Sequence, residues 1–325
     1  MAAYTTIDDP EAYFQVQLYT GNGSANHAIT LGGDTDMQPD FVWIKNRDAT
    51  DAHCLFDSVR GATKLWNTNQ NTAESTDADT LDSFTSDGFQ VDADVKVNTN
   101  AEDYVAWCWK ESATAGFDMV AYTGTGTART VSHALSAVPT FMFVKDRTTT
   151  HRPVVYHQAL GNSDILYFDL TVAAADETYW NDTTPTSSVF SVNQDTMNKT
   201  DNTYIWYGFT DVQGFSKFGS YEGNGNADGA FVYTGFRPAF VMTKSADSTS
   251  SWHLFDNKRE GYNVDNDPIE VNEAGVEATT DMIDLLSNGF KFRIATDPNV
   301  AETYIYAAFA EAPFVNSNGV PCNAR

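Results

Sequence analysis

Three strand-like phrases each occur three times in this chain at a spacing of about a hundred residues, and this periodicity constrains the fold more than any other feature. PDFVWIK at 39–45 returns as PTFMFVK at 139–145 and as PAFVMTK at 238–244, displaced by 100 and then 99 residues. YVAWCW at 104–109 returns as YIWYGF at 204–209 and YIYAAF at 304–309. YTGNG at 19–23 returns as YTGTG at 122–126 and YEGNG at 221–225. Between these blocks HCLFD at 53–57 answers WHLFD at 252–256, and FTSDGF at 84–89 answers LLSNGF at 285–290. The middle copy departs most, with PVVYH at 153–157 and VFSVN at 189–193 in those places. Self-similarity at a fixed period points to one structural unit used repeatedly.

Each copy reads as strands. In Phe41-Val42-Trp43-Ile44 both alternating faces are apolar, the pattern of a strand buried on both sides, and Lys45 marks where it reaches solvent. Residues 104–109 behave alike, and 63–66, 88–91 and 165–170 are shorter candidates between Asn, Asp, Gly and Thr clusters that favour turns. Helical periodicity is scarce; 281–286 has room for one turn. The expected class is all-β: three tandem antiparallel β-sandwich, jelly-roll-like domains related by internal repeats. Their expected bounds are 16–113, 117–212 and 215–312, with an N-terminal docking segment at 1–15 and a tail at 313–325. KESATAG at 110–116 is the first linker, and the short aromatic joint after 211 packs the second and third copies together.

The glycine pairs Gly21 and Gly23, Gly124 and Gly126, and Gly223 and Gly225 then read as structural turns, supplying the positive φ of a tight hairpin. A phosphate cradle would need a following Gly-Lys-Ser/Thr that opens a helix, and YTGNGSANHAIT offers neither.

Composition narrows the function. Apolar residues at 42% and aromatic residues at 13% of 325 can fill a core, while 44 acidic against 19 basic side chains leave a net charge of −25. That charge repels nucleic acid and anionic membrane surfaces, so no nucleic-acid partner is expected. No apolar run of the secretory or membrane-spanning kind occurs, so membrane insertion is not expected and synthesis is placed in the cytoplasm. Cys54, Cys108 and Cys322 form no paired metal motif, and the first two read as buried free thiols. No cofactor or metal is expected. His53 and His253, each just before the LFD block, read as equivalent structural donors, and the nearest approach to a nucleophile elbow, GFSKF at 214–218, lacks its last glycine. The acidic stretch at 265–273 has the oxygen ligands for calcium but not the glycine and final glutamate of an EF-hand, and reads as a solvated loop. Lys45, Lys145 and Lys244 recur at one strand end, where an ion pair or a snorkelling stem accounts for them. Trp66, Trp180 and Tyr262 lie near loops and are the candidates for stacking on sugars, with core rim as the plainer alternative. No catalytic residues are assigned.

The combination of AYTTIDDPEAYFQ, QPDFVWIKNR, LFDSVRGATK and YVAWCWK with SKFGSYEGNGNADGAFVYTGFRPAFVMTK and PFVNSNGVPCNAR resembles a family of repeat proteins common in marine tailed phages and viral metagenomes. The resemblance spans nearly the whole chain. It implies a non-enzymatic virion structural protein on the particle surface, a tail-fibre, receptor-binding or capsid decoration appendage, and supplies no catalytic residues. It also implies other virion proteins and a host surface glycan as partners, with a homo-oligomer, a trimer foremost. The alternatives are a carbohydrate-binding module without catalysis and a polysaccharide depolymerase, the latter requiring two facing carboxylates.

Overall fold

The computed structural model describes residues 3–193, 196–261, 263 and 266–322. It is nearly all β, and among the described residues the only α-helix is the four-residue Val95–Asn98. Among the described residues the strands form several antiparallel sheets and no barrel. In the first third of the chain a larger sheet runs in the order Phe14–Thr20, Asp103–Trp109, Phe41–Asn46, Cys54–Asp57, and a smaller one in the order His27–Thr30, Gly88–Val91, Leu81–Thr85. The second third has Phe117–Thr123, Thr203–Phe209, Phe141–Asp146, Val154–His157, Asp164–Tyr167, Ala175–Asp176 in its larger sheet and Arg129–Ser132 beside Val189–Val192 in its smaller one. The last third has Ser216–Glu222, Thr303–Pro313, Phe236–Ser245, His253–Asp256, Ile269–Glu270, and then Phe231–Tyr233, Gly289–Phe292, Ile283–Leu286. Residues 281–286, which have room for a helical turn, thus end in a strand, because Ile283 and Leu285 alternate into a buried cluster.

The apolar runs have two faces to fill, and the structure fills both. Val42, Ile44, Phe56, Phe89 and Tyr104 belong to a cluster between the two sheets of the first third; Met142, Trp180, Phe190 and Trp206 do so in the second, and Val241, Phe255, Phe290 and Tyr304 in the last. The alternate residues point the other way. Phe41, Trp43, Trp107 and Trp109, Phe141, Phe143, Tyr207 and Phe209, and Phe240, Met242 and Phe309 all enter one continuous fourth cluster. The rings interlock across the thirds: Phe41 meets Tyr207 at 5.1 Å, Phe141 stacks on Phe218 at 5.5 Å, and Phe14 stacks on Phe309 at 5.2 Å. The three larger sheets turn inward on a shared aromatic interior. Burying three such faces, at about 25 cal/mol per Å2 of apolar area, is the main force holding the thirds together.

The N-terminal stretch is tied to the far end of the chain. A single 3-10 turn at Pro10–Ala12 is capped by Asp9, which accepts from the Glu11 N–H, and Ile7 is buried. Tyr4 donates to the Gly235 carbonyl at 2.9 Å and the Ser317 N–H donates to Asp8 at 2.6 Å. In the segment read as a docking arm, Tyr4 and Asp8 thus bond the last third and the tail, while Asp9 and Glu11 accept from Thr35 and Asp34 of the first third.

The glycine turns differ from a tight hairpin. Phe14–Thr20 pairs with Asp103–Trp109, not with the strand that follows it, so YTGNG carries the chain from one sheet to the other. Only the second glycine of each pair has positive φ: +65° at Gly23, +73° at Gly126 and +62° at Gly225. The first is required by close approach, since a Cβ at Gly21, Gly124 or Gly223 would lie 2.1, 2.1 or 1.9 Å from the carbonyl oxygen of Thr99, Lys199 or Val300. Opposite each crossing sits a wholly buried asparagine, Asn98, Asn198 or Asn299. Its Oδ1 accepts from the N–H of Asn22, Thr125 or Asn224, and its Nδ2 donates to the carbonyl of Ser24, Thr127 or Asn226.

Candidate functional site

The recurring lysines do not reach solvent. Lys45, Lys145 and Lys244 share the inward face of their strands and are fully buried. Each ammonium is held by backbone carbonyls: Lys45 by Asn46 at 2.6 Å, Ala49 and Ala274, Lys145 by His151 at 2.6 Å and Asn71, and Lys244 by Ser245 at 2.7 Å and Ser248. Burial pulls each one down from 10.5 to about 8, against nearby carboxylates that pull upward. Ala274 belongs to the last third and Asn71 to the first, so Lys45 and Lys145 bind across junctions between thirds.

The junctions close head to tail. From first to second, Tyr207 donates to Asp57 at 2.6 Å, Trp66 donates to the Tyr207 oxygen at 3.1 Å, and a chain of charges runs Asp57, Arg60, Glu74, Arg147. From third back to first, Trp107 donates to Asp256 at 3.1 Å, and the charges run Asp256, Arg259, Glu277, Arg47. Asp57, His157 and Asp256 hold one register position, opposite Phe41, Phe141 and Phe240. The remaining junction has no charge chain at these places: it presents His157, Leu160, Ala174 and Ala246. Yet the backbone bond is the same in all three, from Glu74 to Arg147, Ala174 to Ala246 and Glu277 to Arg47. Four charged positions are thus neutral together, as expected where half a buried ion network would be worse than none.

The sugar-stacking candidates are placed elsewhere than on the surface. Trp66 is 1% exposed within the shared interior, and Trp180 is 0% exposed, set edge-on to Tyr156. Neither offers a ring face to an external sugar; their flanking loops are polar, but the side chains turn in, where large aromatic area is worth most. Tyr262 lies outside the described residues. Cys54 and Cys108 are buried and Cys322 exposed, all free. His53 is matched in register by Trp252, while His253 matches Cys54, because Trp43 faces Leu55 and Met242 faces Leu254. His53 accepts from the Trp43 indole at Nδ1 (3.1 Å) and donates from Nε2 to the Glu270 carbonyl (3.0 Å), and burial lowers it to about 3.

Two polar clusters have catalytic residue types without catalytic order. Ser250 donates to Asp297 at 2.8 Å, and His253 Nε2 stands 3.9 Å from the same carboxylate. The histidine faces the carboxylate through Nε2 and its Nδ1 has no hydrogen-bond partner, so the serine–histidine bond of a nucleophile and its base is not made. Glu111 is raised to about 7 by burial and by Asp118, with which it shares a hydrogen bond. A glycosidase pair stands about 5–10 Å apart across the scissile bond, not in direct contact. Among the described residues no group of three or more His, Cys, Asp or Glu side chains is arranged for a metal.

One exposed feature separates the last third from the others. Val131 and Val232 face Phe190 and Phe290 in the smaller sheets, as Ile29 faces Phe89. Their outward neighbours are Ala28 and Thr30 in the first third, Thr130 and Ser132 in the second, and Phe231 and Tyr233 in the last. Both rings are 48% exposed, and they are the only exposed large aromatics among the described residues. The strand pattern FVY hid them, because an aromatic in a strand reads equally well as core.

A family model, Domain of unknown function (DUF7483), matches residues 9–313. The chain belongs to this family. The match takes in all three thirds of the DUF7483 chain, from the Asp9 cap to the end of its last long strand. No curated protein and no solved structure matches it.

Proposed function

We propose that this DUF7483 chain is a non-enzymatic phage virion surface protein, a tail-fibre, receptor-binding or capsid decoration appendage built of three antiparallel sandwich copies of one design. The observation that carries the reading is the shared interior: three larger sheets close on one another, and the polar residues that recur with them hold carbonyls, turns and junctions rather than a cleft. Equivalent register pairs, such as Tyr19 with Tyr104, Tyr122 with Tyr204 and Tyr221 with Tyr304, support the copying. A rigid acidic body of this kind suits the outside of a particle, where charge maintains solubility. Other virion proteins are its partners in this reading, and it assembles as a homo-oligomer, with a trimer foremost.

Mass spectrometry of purified particles, with antibody labelling of head and tail, tests the reading. Presence in stoichiometric amount supports it and the label separates the two placements; absence from washed particles overturns it. A carbohydrate-binding module outside a virion is the second reading, favoured by the exposed Phe231 and Tyr233.

A further inference from the structure

We propose that the outer face of the smaller sheet in the last third, centred on Phe231 and Tyr233, is a binding platform for a neutral glycan. The inference rests on the surface-binding reading above and adds its ligand class and residues. Phe231 and Tyr233 are two apart on one strand, so they project from the same face with about 6.6 Å of strand between their Cα atoms. The next strand sets Lys291 beside Phe231 and Gly289 beside Tyr233. A Cβ at Gly289 would lie 2.0 Å from the Val232 carbonyl oxygen, so this place beside the tyrosine stays without a side chain.

Tyr233 is held although half exposed. Lys217 donates to its carbonyl at 2.8 Å and places its ammonium 5.4 Å from the ring centre, and the Tyr4 hydroxyl stands 3.4 Å from its own. A ring fixed this way loses little freedom when a ligand stacks on it. Around the pair stand the Lys291–Asp228 ion pair and the half-exposed Arg293 on Asp284, planar and charged groups that suit vicinal hydroxyls.

The face fits a sugar better than a protein. Two rings bordered by ion pairs fall far short of the roughly 800 Å2 per partner that a stable protein interface buries. The net charge of −25 opposes polyanions. That leaves an uncharged saccharide with apolar ring faces and hydroxyl edges.

Affinity electrophoresis of the full chain through gels containing dextran, mannan, galactan or soluble β-glucan, with alginate as the anionic comparison, tests this. The variant pair Phe231→Thr and Tyr233→Ser installs the residue types found at the equivalent outward places of the second third, and its thermal midpoint checks folding. Retardation by at least one neutral polymer, weakened about tenfold or more in the folded double variant, supports the platform. No retardation by any neutral polymer, equal retardation in the variant, or retardation by alginate alone overturns it. Concentration-dependent self-association abolished by the same substitutions would also overturn it, reassigning the face to a second copy. Particle mass spectrometry is independent, so a chain found on virions but blind to glycans defeats only the platform.

Discussion

Tyr207 donates its phenolic hydrogen to Asp57 at 2.6 Å, across 150 residues of sequence and with both groups buried. The same oxygen accepts from the Trp66 indole, so one hydroxyl joins the first and second thirds twice. Burial first, then the Asp57 charge, push Tyr207 well above its ordinary range, and it stays protonated as the bond requires. Tyr207→Phe should destabilise the chain by about 1–3 kcal/mol, chiefly by orphaning the indole N–H. A urea midpoint lowered at unchanged slope is the expected result; an unchanged midpoint would mean that the junction does not depend on this bond.

The charge chain and its neutral counterpart predict strong non-additivity. Arg60→Leu alone leaves Asp57 buried without its cation and should cost about 3–5 kcal/mol. Asp57→His, Arg60→Leu, Glu74→Ala and Arg147→Ala together install the set that His157, Leu160, Ala174 and Ala246 form at the other junction. This fourfold variant should be more stable than the single one. If instead the four losses add, the neutral junction owes its stability to something else.

The buried bases set the pH response. His157 is lowered by burial to about 4, below the ordinary 6.5, so between these values the unfolded chain takes up a proton that the fold refuses. Its contribution is whole above pH 6.5 and is lost on acidification at about 1.4 kcal/mol per pH unit. Glu111, raised to about 7, acts in the opposite sense over the same range, so the informative quantity is a difference. His157→Asn should flatten the stability profile between pH 6.5 and 5 relative to wild type. On the alkaline side Lys145, at about 8, is neutral in the fold while still charged when unfolded, so stability should rise from pH 8 toward 10 and Lys145→Met should remove part of that rise. A parallel pair of profiles would refute either assignment.

Asn198 holds the crossing at 124–127 with Oδ1 on the Thr125 N–H at 3.0 Å and Nδ2 on the Thr127 carbonyl at 2.5 Å. Asn198→Ala should cost about 1–3 kcal/mol for each buried group left unpaired. Asn198→Asp, which keeps the acceptor, should fall between alanine and wild type. Hydrogen exchange at Thr125 reports the loss locally.

The sheets were legible because the strands of the chain are apolar on alternating and on intervening positions, a pattern with few other solutions. What alternation could not tell was the destination of the second face. Phe41 and Val42 look alike in sequence, yet Val42 fills the space between two sheets and Phe41 the space among three. Lys45 was misleading for the same reason: a lysine after four apolar residues ordinarily ends a buried stretch, and here the carbonyls of Asn46 and Ala49 just after it and of Ala274 far away in sequence enclose it. The asparagines had a readable signal, since Asn98, Asn198 and Asn299 each precede the recurring tyrosine by five or six residues. The candidate platform was the least legible, because exposure of Phe231 depends on the outer face of its sheet being left uncovered.

Covalent continuity has a consequence for the closed arrangement of junctions. Three separate subunits meeting at such seams would come apart on dilution, and a change in one would appear in all. Concatenated in one polypeptide, the seams persist at any concentration in fixed stoichiometry. Each third is then free to differ, so that one seam is neutral and one outer face carries aromatics without obliging the other two to match.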